Sequence, residues 1–597
     1  VLPRLLDIRL GDSAAGLVGS GPEAATLASS RLNWRRTLAT NAFVPVRDLF
    51  QATLSWARNY HLSGDRRHLE AFRVLWRELL DSPAPLVRNE MEWIFKAVEA
   101  WDLVEEDPAL TDAERLEITQ RLLTIGCVNE AKYGRNVQNT NRLIADGHQL
   151  DQALCLYLHG LYFDRYYGIN GHWMTMSKPL IDLAENAPRV HDSYAYGPII
   201  GDSFMSEYAL KTGNFGYFEK SSGKQAADWV LLCSDNLGRG GTFGDDGAWT
   251  GSVPLEFLSK CWGFYGDDRL LWPLQGRRPP LGCFATDRPA ARPDDLLGVA
   301  SVPLHELLYR TALQQIADPS LRAVWQPESV LPAQAFDKLA FRGGFAPEDQ
   351  YLLLDGLSTI PHGHRDGASI LRFTDNNRLF LTEGHYIEIA KERHNTLAVS
   401  RDGVSGDPPP LVALEGSANG PGSGLARLLS SAYNGVDWRR DIAWVAERFF
   451  VVVDTVTARE PGDYAFTLHW QTLGEARLQD GALRVEQDGE PFTIANLDGA
   501  ELTLTEELHR LGSNYYASYP HSRDGLVKHL KQTRYARLAA GEQLAMVNVL
   551  WTDQAVTPAL ADGKVTITTA GGPWQVECGG RLTLRGPDGE LSCGQPG

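Results

Sequence analysis

The chain has 597 residues, 43% of them hydrophobic and 22% charged, an ordinary globular balance with length enough for two or more domains. A formal net charge of −18 disfavours nucleic acid as a partner, because such binding is driven by phosphate neutralisation, and no run of roughly eighteen apolar residues offers a membrane-spanning helix. Seven cysteines without CxxC spacing argue against a disulfide scaffold and against a thiolate metal cluster.

The opening VLPRLLDIRLGDS has neither an initiator Met nor a basic-then-apolar leader, which suggests that any export signal has been removed; the opening does not itself give the compartment, and the expectation is a bacterial periplasmic or secreted protein. From about residue 45 to 315 the apolar residues recur at helical spacing, predicting helices over 46–60, 68–80, 90–100, 112–123, 204–211 and 254–264. The strongest begins at Leu150, where Leu150, Ala153, Leu154, Tyr157, Leu158, Leu161 and Tyr162 make one continuous stripe. Asp146 and Gln149 give that helix a start like a capping box. Many sequential helices with short connections predict an α-solenoid or a closed (α/α) toroid.

A Pro-, Arg- and Gly-rich run, QGRRPPLGCFATDRPAARPDD, then reads as a long loop near a domain boundary. After about residue 325 the period changes. Tyr464, Phe466, Leu468 and Trp470 alternate with smaller or polar residues, and 449–453 is a continuous apolar run of the kind buried inside a sandwich. The expected architecture is therefore a multidomain α+β chain. A helical domain over 1–325 is followed by an antiparallel β-sandwich over 326–597, with a smaller β unit from about 540.

Within this second half, residues 361–403 read PHGHRDGASILRFTDNNRLFLTEGHYIEIAKERHNTLAVSRDG. His362 and His364 share one side of an extended segment, Glu383 follows at a strand end, and His394 opens another strand. Two imidazoles and a carboxylate brought together make a plausible zinc site, and the remaining histidine is free for proton chemistry. Arg142, Arg365, Lys391 and Arg393 lie close in sequence to residues of interest and could form the local basic cleft that a net-negative protein needs to bind a polyanion.

HGHRDGAS, followed by LTEGHY and then RHNTLAVSRDG, resembles the C-terminal sandwich of the heparinase II/III-like polysaccharide lyases. The resemblance selects the toroid for the helical half. It implies that His364, Glu383 and His394 hold a single structural zinc ion while His362 faces the substrate. Glu383 stands where the family usually has Asp, which moves the carboxylate by one methylene. In the helical half, QNTNRLIADGHQ (138–149) resembles the loop whose Asn hydrogen-bonds the uronate carboxylate. Asn141 matches that Asn, and Arg142 stands where His is frequent, with Asn139 and His148 as supporting residues. In HDSYAYGP (191–198), Tyr196 matches the catalytic tyrosine and Tyr194 is its neighbouring alternative. Asp245 and Asp246 in GRGGTFGDDGAWTG read as turn or cleft-wall residues.

The resemblance implies β-elimination at a 4-linked uronate. The C5 proton is removed, its electron pair forms the C4=C5 bond, and the C4 oxygen leaves and takes a proton. Donors at the carboxylate stabilise the developing aci-carboxylate as an oxyanion hole would. A phenol titrates near ~10 and an imidazole near ~6.5, so Tyr196 suits the acid, and either Tyr196 or His362 the base, according to whether the C5 hydrogen is syn or anti to the leaving group. The expected partner is a uronate-containing glycan bound where toroid and sandwich meet, with Arg142, His148, Asn139, Tyr194 and Arg365 contacting it. Competing readings are a zinc hydrolase, an (α/α) glycoside hydrolase using paired carboxylates, and a non-catalytic glycan-binding protein.

Overall fold

A computed structural model describes residues 45–80, 95–138, 147–186, 194, 201–220, 222–241, 243–244, 254–275, 288–304, 309–310, 313, 330–358, 364–383, 389–507, 516–552, 555–587 and 589–594. A helical region precedes a set of antiparallel sheets. The chain divides into two compact units. One comprises Val1–Arg189, Gly197–Ala227 and Pro254–Ala291, and the other Val190–Tyr196, Asp228–Val253 and Arg292–Gly597. No helix among the described residues is long and apolar enough to cross a membrane.

The helical unit is built of sequentially packed helices. Pro45–Ser63 packs on Arg66–Leu80 and Phe95–Asp102, and Gly147–Tyr167 packs between Asp112–Val137 and His172–Asn186. The helix over Asp112–Val137 starts with a reciprocal capping box. Thr111 Oγ1 accepts from the Glu114 amide at 3.2 Å, and the Glu114 carboxylate accepts from the Thr111 amide at 2.9 Å. It runs fourteen residues beyond its expected end at 123, because nothing in TIGCVNEAKYGRNV breaks a helix once its faces are packed. The stripe from Leu150 is buried at Leu150, Ala153, Leu154, Leu158 and Tyr162, but so are Asp151, Gln152, Cys155, Leu156 and His159. This helix is enclosed on more than the one face that periodicity reveals.

The helical unit also buries a run of charge. Arg58 pairs with Glu99 at 2.5 Å, Lys211 with both Glu99 and Glu207, Lys260 with Glu207 and with Glu256 at 3.0 Å, and Lys96 with Glu256 at 3.7 Å. Four helices contribute to it. Burial opposes charge on Lys260, but Glu207 and Glu256 more than offset it and hold the ammonium above its usual range.

The second unit contains twenty-three strands among its described residues. In chain order β1–β5 are Gly298–Pro303, Phe336–Arg342, Tyr351–Asp355, Ile370–Asp375 and Arg378–Leu381. β6–β12 are Leu397–Arg401, Val404–Ser405, Ala413–Gly420, Ser423–Tyr433, Val436–Val445, Phe449–Ala458 and Gly462–Thr472. β13–β18 are Glu475–Gln479, Ala482–Gln487, Glu490–Asn496, Glu501–Glu507, Val527–Leu538 and Gln543–Trp551. β19–β23 are Thr557–Ala561, Lys564–Thr569, Gly572–Cys578, Leu582–Gly586 and Gly589–Cys593.

These make an eight-stranded sheet in the order β13-β14-β15-β18-β11-β10-β9-β8 and three five-stranded sheets. The eight-stranded sheet is a shared wall. Ile442, Trp444, Phe450 and Val452 face the main core with β2–β6, β12 and β17, while Ala443, Val445, Phe449, Val451 and Val453 face the terminal sheet β19–β23. That double burial is why 449–453 reads as an unbroken apolar run rather than an alternation.

Strands β2, β3 and β4 are buried at every position. Their second face is covered by the segment from Asp228 onwards, which belongs to the same unit. Arg342 donates to the Ser234 carbonyl at 2.6 Å, Tyr351 to the Leu232 carbonyl at 2.8 Å, and Arg372 to Asp235 at 2.6 Å.

Candidate functional site

The ends of β3, β4, β5 and β6 gather one cluster of buried polar side chains. The turn Asp366-Gly367-Ala368-Ser369 leads into β4, closed by the Ser369 amide donating to the Asp366 carbonyl at 2.9 Å. Ala368 takes φ +56°, and a Cβ on Gly367 would lie 2.7 Å from the Pro409 carbonyl, so this position tolerates only glycine without movement. The turn fixes where Asp366 and Ser369 point. Glu383 follows β5, and His394-Asn395-Thr396 runs from a short 3₁₀ turn, Lys391–Arg393, into β6. His364, Asp366, Ser369, Glu383, His394, Asn395 and Thr396 are all fully buried.

Glu383 is the centre of the cluster. Its Oε2 contacts His394 Nδ1, and its Oε1 accepts from the Ser369 hydroxyl and from the Asn395 amide at 2.8 Å. Asn395 is the bracket that sets this geometry. Its Nδ2 donates to the carbonyls of Ile370 at 2.8 Å and Thr382 at 2.6 Å, and its Oδ1 accepts from the Gln471 amide at 2.6 Å. Arg440, paired with Asp454, donates to the carbonyls of Ala368 at 2.7 Å and Asn395 at 3.1 Å, while Thr396 Oγ1 donates to the Gly367 carbonyl at 3.0 Å. The HNT triplet therefore supplies one imidazole and two backbone anchors.

Burial disfavours a charge on His394, but the adjacent Glu383 carboxylate more than offsets it and holds the imidazole above its ordinary range. The rings of His364 and His394 stand nearly perpendicular with centroids 6.0 Å apart. Asp355 at the end of β3 bonds to Lys338 at 2.7 Å, and Lys338 also reaches Asp337 at 2.7 Å. Burial pushes the Asp355 carboxyl well up, against the pull of Lys338. Among the described residues, neither carboxylate oxygen of Asp366 and not His394 Nε2 has a hydrogen-bond partner. These atoms are the part of the cluster left available to an incoming polar group.

The structure brings together His364, Glu383 and His394 as the sequence suggests, but not as converging metal ligands. Glu383 spends its oxygens on His394, Ser369 and Asn395, and among the described residues no group of three or more His, Cys, Asp or Glu side chains is arranged to hold a metal ion. As placed, the three do not fit a common zinc.

Arg365 is ion-paired with Asp407 at 3.2 Å, and Lys391 reaches the same carboxylate at 3.2 Å, so two of the expected basic residues are held by one acidic neighbour. Tyr194, the expected alternative substrate contact, is fully buried, stacked on Trp229 with its hydroxyl 2.8 Å from Ser234 Oγ. It acts as a packing residue, because Gly240 lies against its ring so closely that a Cβ there would overlap it. Asn139, Asn141, Arg142, Tyr196, His362, Asp245 and Asp246 lie outside the described residues, as does the side chain of His148.

Sequence reasoning assigned no role to Asp366, Ser369, Asn395 or Thr396, although the letters of HxHxDxxS and HNT contain them. Asp355 and Lys338 carry no local signal at all, since only the β2–β3 pairing, which sets Lys338 opposite Asp355, brings them together.

No family model and no curated protein matches the chain. Solved structures do. A heparinase III matches with a TM-score of 0.55 over 90% of this chain and 81% of its own, at 13% identity. A second heparinase III matches at 0.55 over 88% of this chain and 83% of its own, at 12% identity. The heparan sulfate lyase HepC from Pedobacter heparinus matches at 0.53 over 89% of this chain and 80% of its own, at 13% identity. The chain has a heparinase III-like fold, a helical region followed by antiparallel sheets.

Proposed function

We propose that this protein is a polysaccharide lyase that cleaves a uronic-acid-containing glycan by β-elimination and leaves an unsaturated uronate at the new end. The observation that carries the reading is the buried cluster of His364, Asp366, Ser369, Glu383, His394 and Asn395, set at one group of strand ends in a fold shared with heparinase III over most of the chain. In this reading Asn141, with Asn139, Arg142 and His148, binds the uronate carboxylate. Donors there stabilise the aci-carboxylate that forms as the C5–H bond breaks. Tyr196 gives its proton to the departing C4 oxygen, and Tyr196 or His362 receives the C5 proton.

The Glu383–His394 cluster is a positioning element in this scheme. It lies two residues in sequence from His362 through His364, and Asn395 ties the start of β6 to β4, to Thr382 after β5 and to β12.

The test is to incubate the full chain with purified heparan-type, alginate-type and mixed rhamnose–glucuronate polymers and to follow ultraviolet absorbance of the conjugated C4=C5 bond. Absorbance rising with one of them is the expected result. New reducing ends without absorbance would replace the lyase by a hydrolase, and saturable binding with neither signal would leave a glycan-binding protein.

A further inference from the structure

We propose that in this protein a direct carboxylate–imidazole pair, Glu383 with His394, does the cross-linking that the resemblance assigns to zinc, and that His364, Glu383 and His394 hold no metal in the native chain. The inference concerns the architecture of the cluster and does not depend on the reaction proposed above.

The geometry is the first ground. Two atoms bound to one tetrahedral zinc at ~2.1 Å each must stand roughly 3.4 Å apart. Glu383 Oε2 and His394 Nδ1 are in hydrogen-bonding contact, so these two atoms cannot share an ion, and an ion on His394 Nε2 would lie on the far edge of the ring from that carboxylate oxygen. The other carboxylate oxygen is no more available, since Ser369 and the Asn395 amide occupy Oε1, with Asn395 Nδ2 a further 3.3 Å away.

Side-chain length is the second ground. An aspartate at this position would draw the carboxylate back by about one C–C bond, ~1.5 Å, and leave a gap at the imidazole that an ion could fill. The glutamate closes that gap itself.

Third, the pair is fixed from both sides by the backbone rather than by flexible ends. Asn395 follows His394 directly, and its Nδ2 holds the carbonyl of Thr382, the residue before Glu383. The distance between the two partners is thus set by one asparagine. The pair ties the end of β5 to the turn before β6, and Ser369 adds the start of β4, which are the segments that a zinc on the same three residues would join.

The experiment uses the untagged full chain expressed in zinc-supplemented medium, desalted, and assayed for metal by mass spectrometry alongside thermal melting with and without chelator. The expected result is zinc well below one equivalent, under roughly 0.1 per chain, with an unchanged melting temperature after chelation. A downfield imidazole N–H proton resonance should be present in the native chain and absent from Glu383→Gln. That variant should melt several degrees lower, to the same extent with and without added zinc. Close to one zinc per chain, retained through desalting and lowering the melting temperature when removed, would overturn the proposal, as would Glu383→Gln melting like the native chain. Should Glu383→Gln fail to fold, the native metal content and chelation melt decide the matter alone. None of these readouts uses turnover, so an inactive preparation leaves them intact.

Discussion

In the helical unit, Arg58, Lys96, Lys211 and Lys260 interleave with Glu99, Glu207 and Glu256. In the sheet unit the buried polar cluster is made of His, Asp, Ser and Asn side chains and one Glu at strand ends. Long side chains on helices can search for partners, and each charge of the first group reaches an opposite one. Short side chains at strand ends go where the backbone puts them. There the bonding is complete around Glu383 and Asn395 and incomplete at Asp366 and at His394 Nε2 among the described residues. A fully paired buried network supports a fold, whereas a cluster with unpartnered buried atoms keeps hydrogen-bonding capacity for an incoming polar group.

The largest effect that would sharpen this contrast is loss of the proposed acid. Tyr196→Phe should slow elimination by about a thousandfold, ~4 kcal/mol in the barrier, with an unchanged melt, because Phe cannot transfer the proton. Comparable activity in Tyr196→Phe and the native chain would remove Tyr196 from the scheme.

The converse is expected in the helical unit. Glu207→Ala leaves Lys260 and Lys211 facing a buried void and should cost about 3–4 kcal/mol of stability, read from denaturant midpoints, with turnover per folded molecule retained. A loss below about 1 kcal/mol would mean that the network is solvated rather than buried.

Acid should act on the sheet unit through a second imidazole pair. His469 Nδ1 lies 2.9 Å from His529 Nε2 across β12 and β17. Burial first, then the positive charges of Lys531, Lys391, His394 and Arg393, push His469 down to about 3, and burial with the charges of His469, Lys531 and Arg393 pushes His529 down to about 3. Unfolded imidazoles take up protons near ~6.5, so between that pH and about 3 the unfolded state binds more protons and stability falls as the pH falls. A loss on the order of 2–3 kcal/mol for each imidazole by about pH 4.5 is expected, and a double His469→Gln, His529→Gln variant should lose less. Glu105, which burial pushes up to about 7, works in the opposite sense, so the difference between native and variant curves is the readout. Parallel curves would show that the pair is not the acid-sensitive element.

Smaller again, Asp366→Asn should lower turnover about tenfold, ~1.4 kcal/mol, while leaving the melting temperature equal or higher, as expected when a buried carboxyl group without a bonding partner is replaced. A clear fall in melting temperature would place Asp366 with the supporting bonds instead. The smallest effect belongs to the exposed Arg77–Glu117 pair at 2.9 Å, where Arg77→Ala should change stability by less than about 0.5 kcal/mol.

Much of this was legible in the residues. Helical spacing located the stripe from Leu150, and the switch to alternation at Tyr464–Trp470 marked strands whose inward residues join one core. The motif order around residues 362–396 pointed to one cluster, and His364, Glu383 and His394 do meet. Periodicity could not show that the helix Gly147–Tyr167 is enclosed on several sides, or that Tyr194 is closed off against Trp229 and Gly240, because those partners are distant in sequence.

By itself, then, the sequence determined the two-part architecture, the strands and helices that repeat at short range, and the meeting of His364, Glu383 and His394, because each rests on short-range spacing and motif order. Only the tertiary structure decided what those residues do to one another. The register of β2 against β3 set Lys338 beside Asp355, and the bonds of Asn395 to the carbonyls of Ile370 and Thr382 help set Glu383 against His394. Contacts of this kind are set by backbone segments that meet only when the chain has folded.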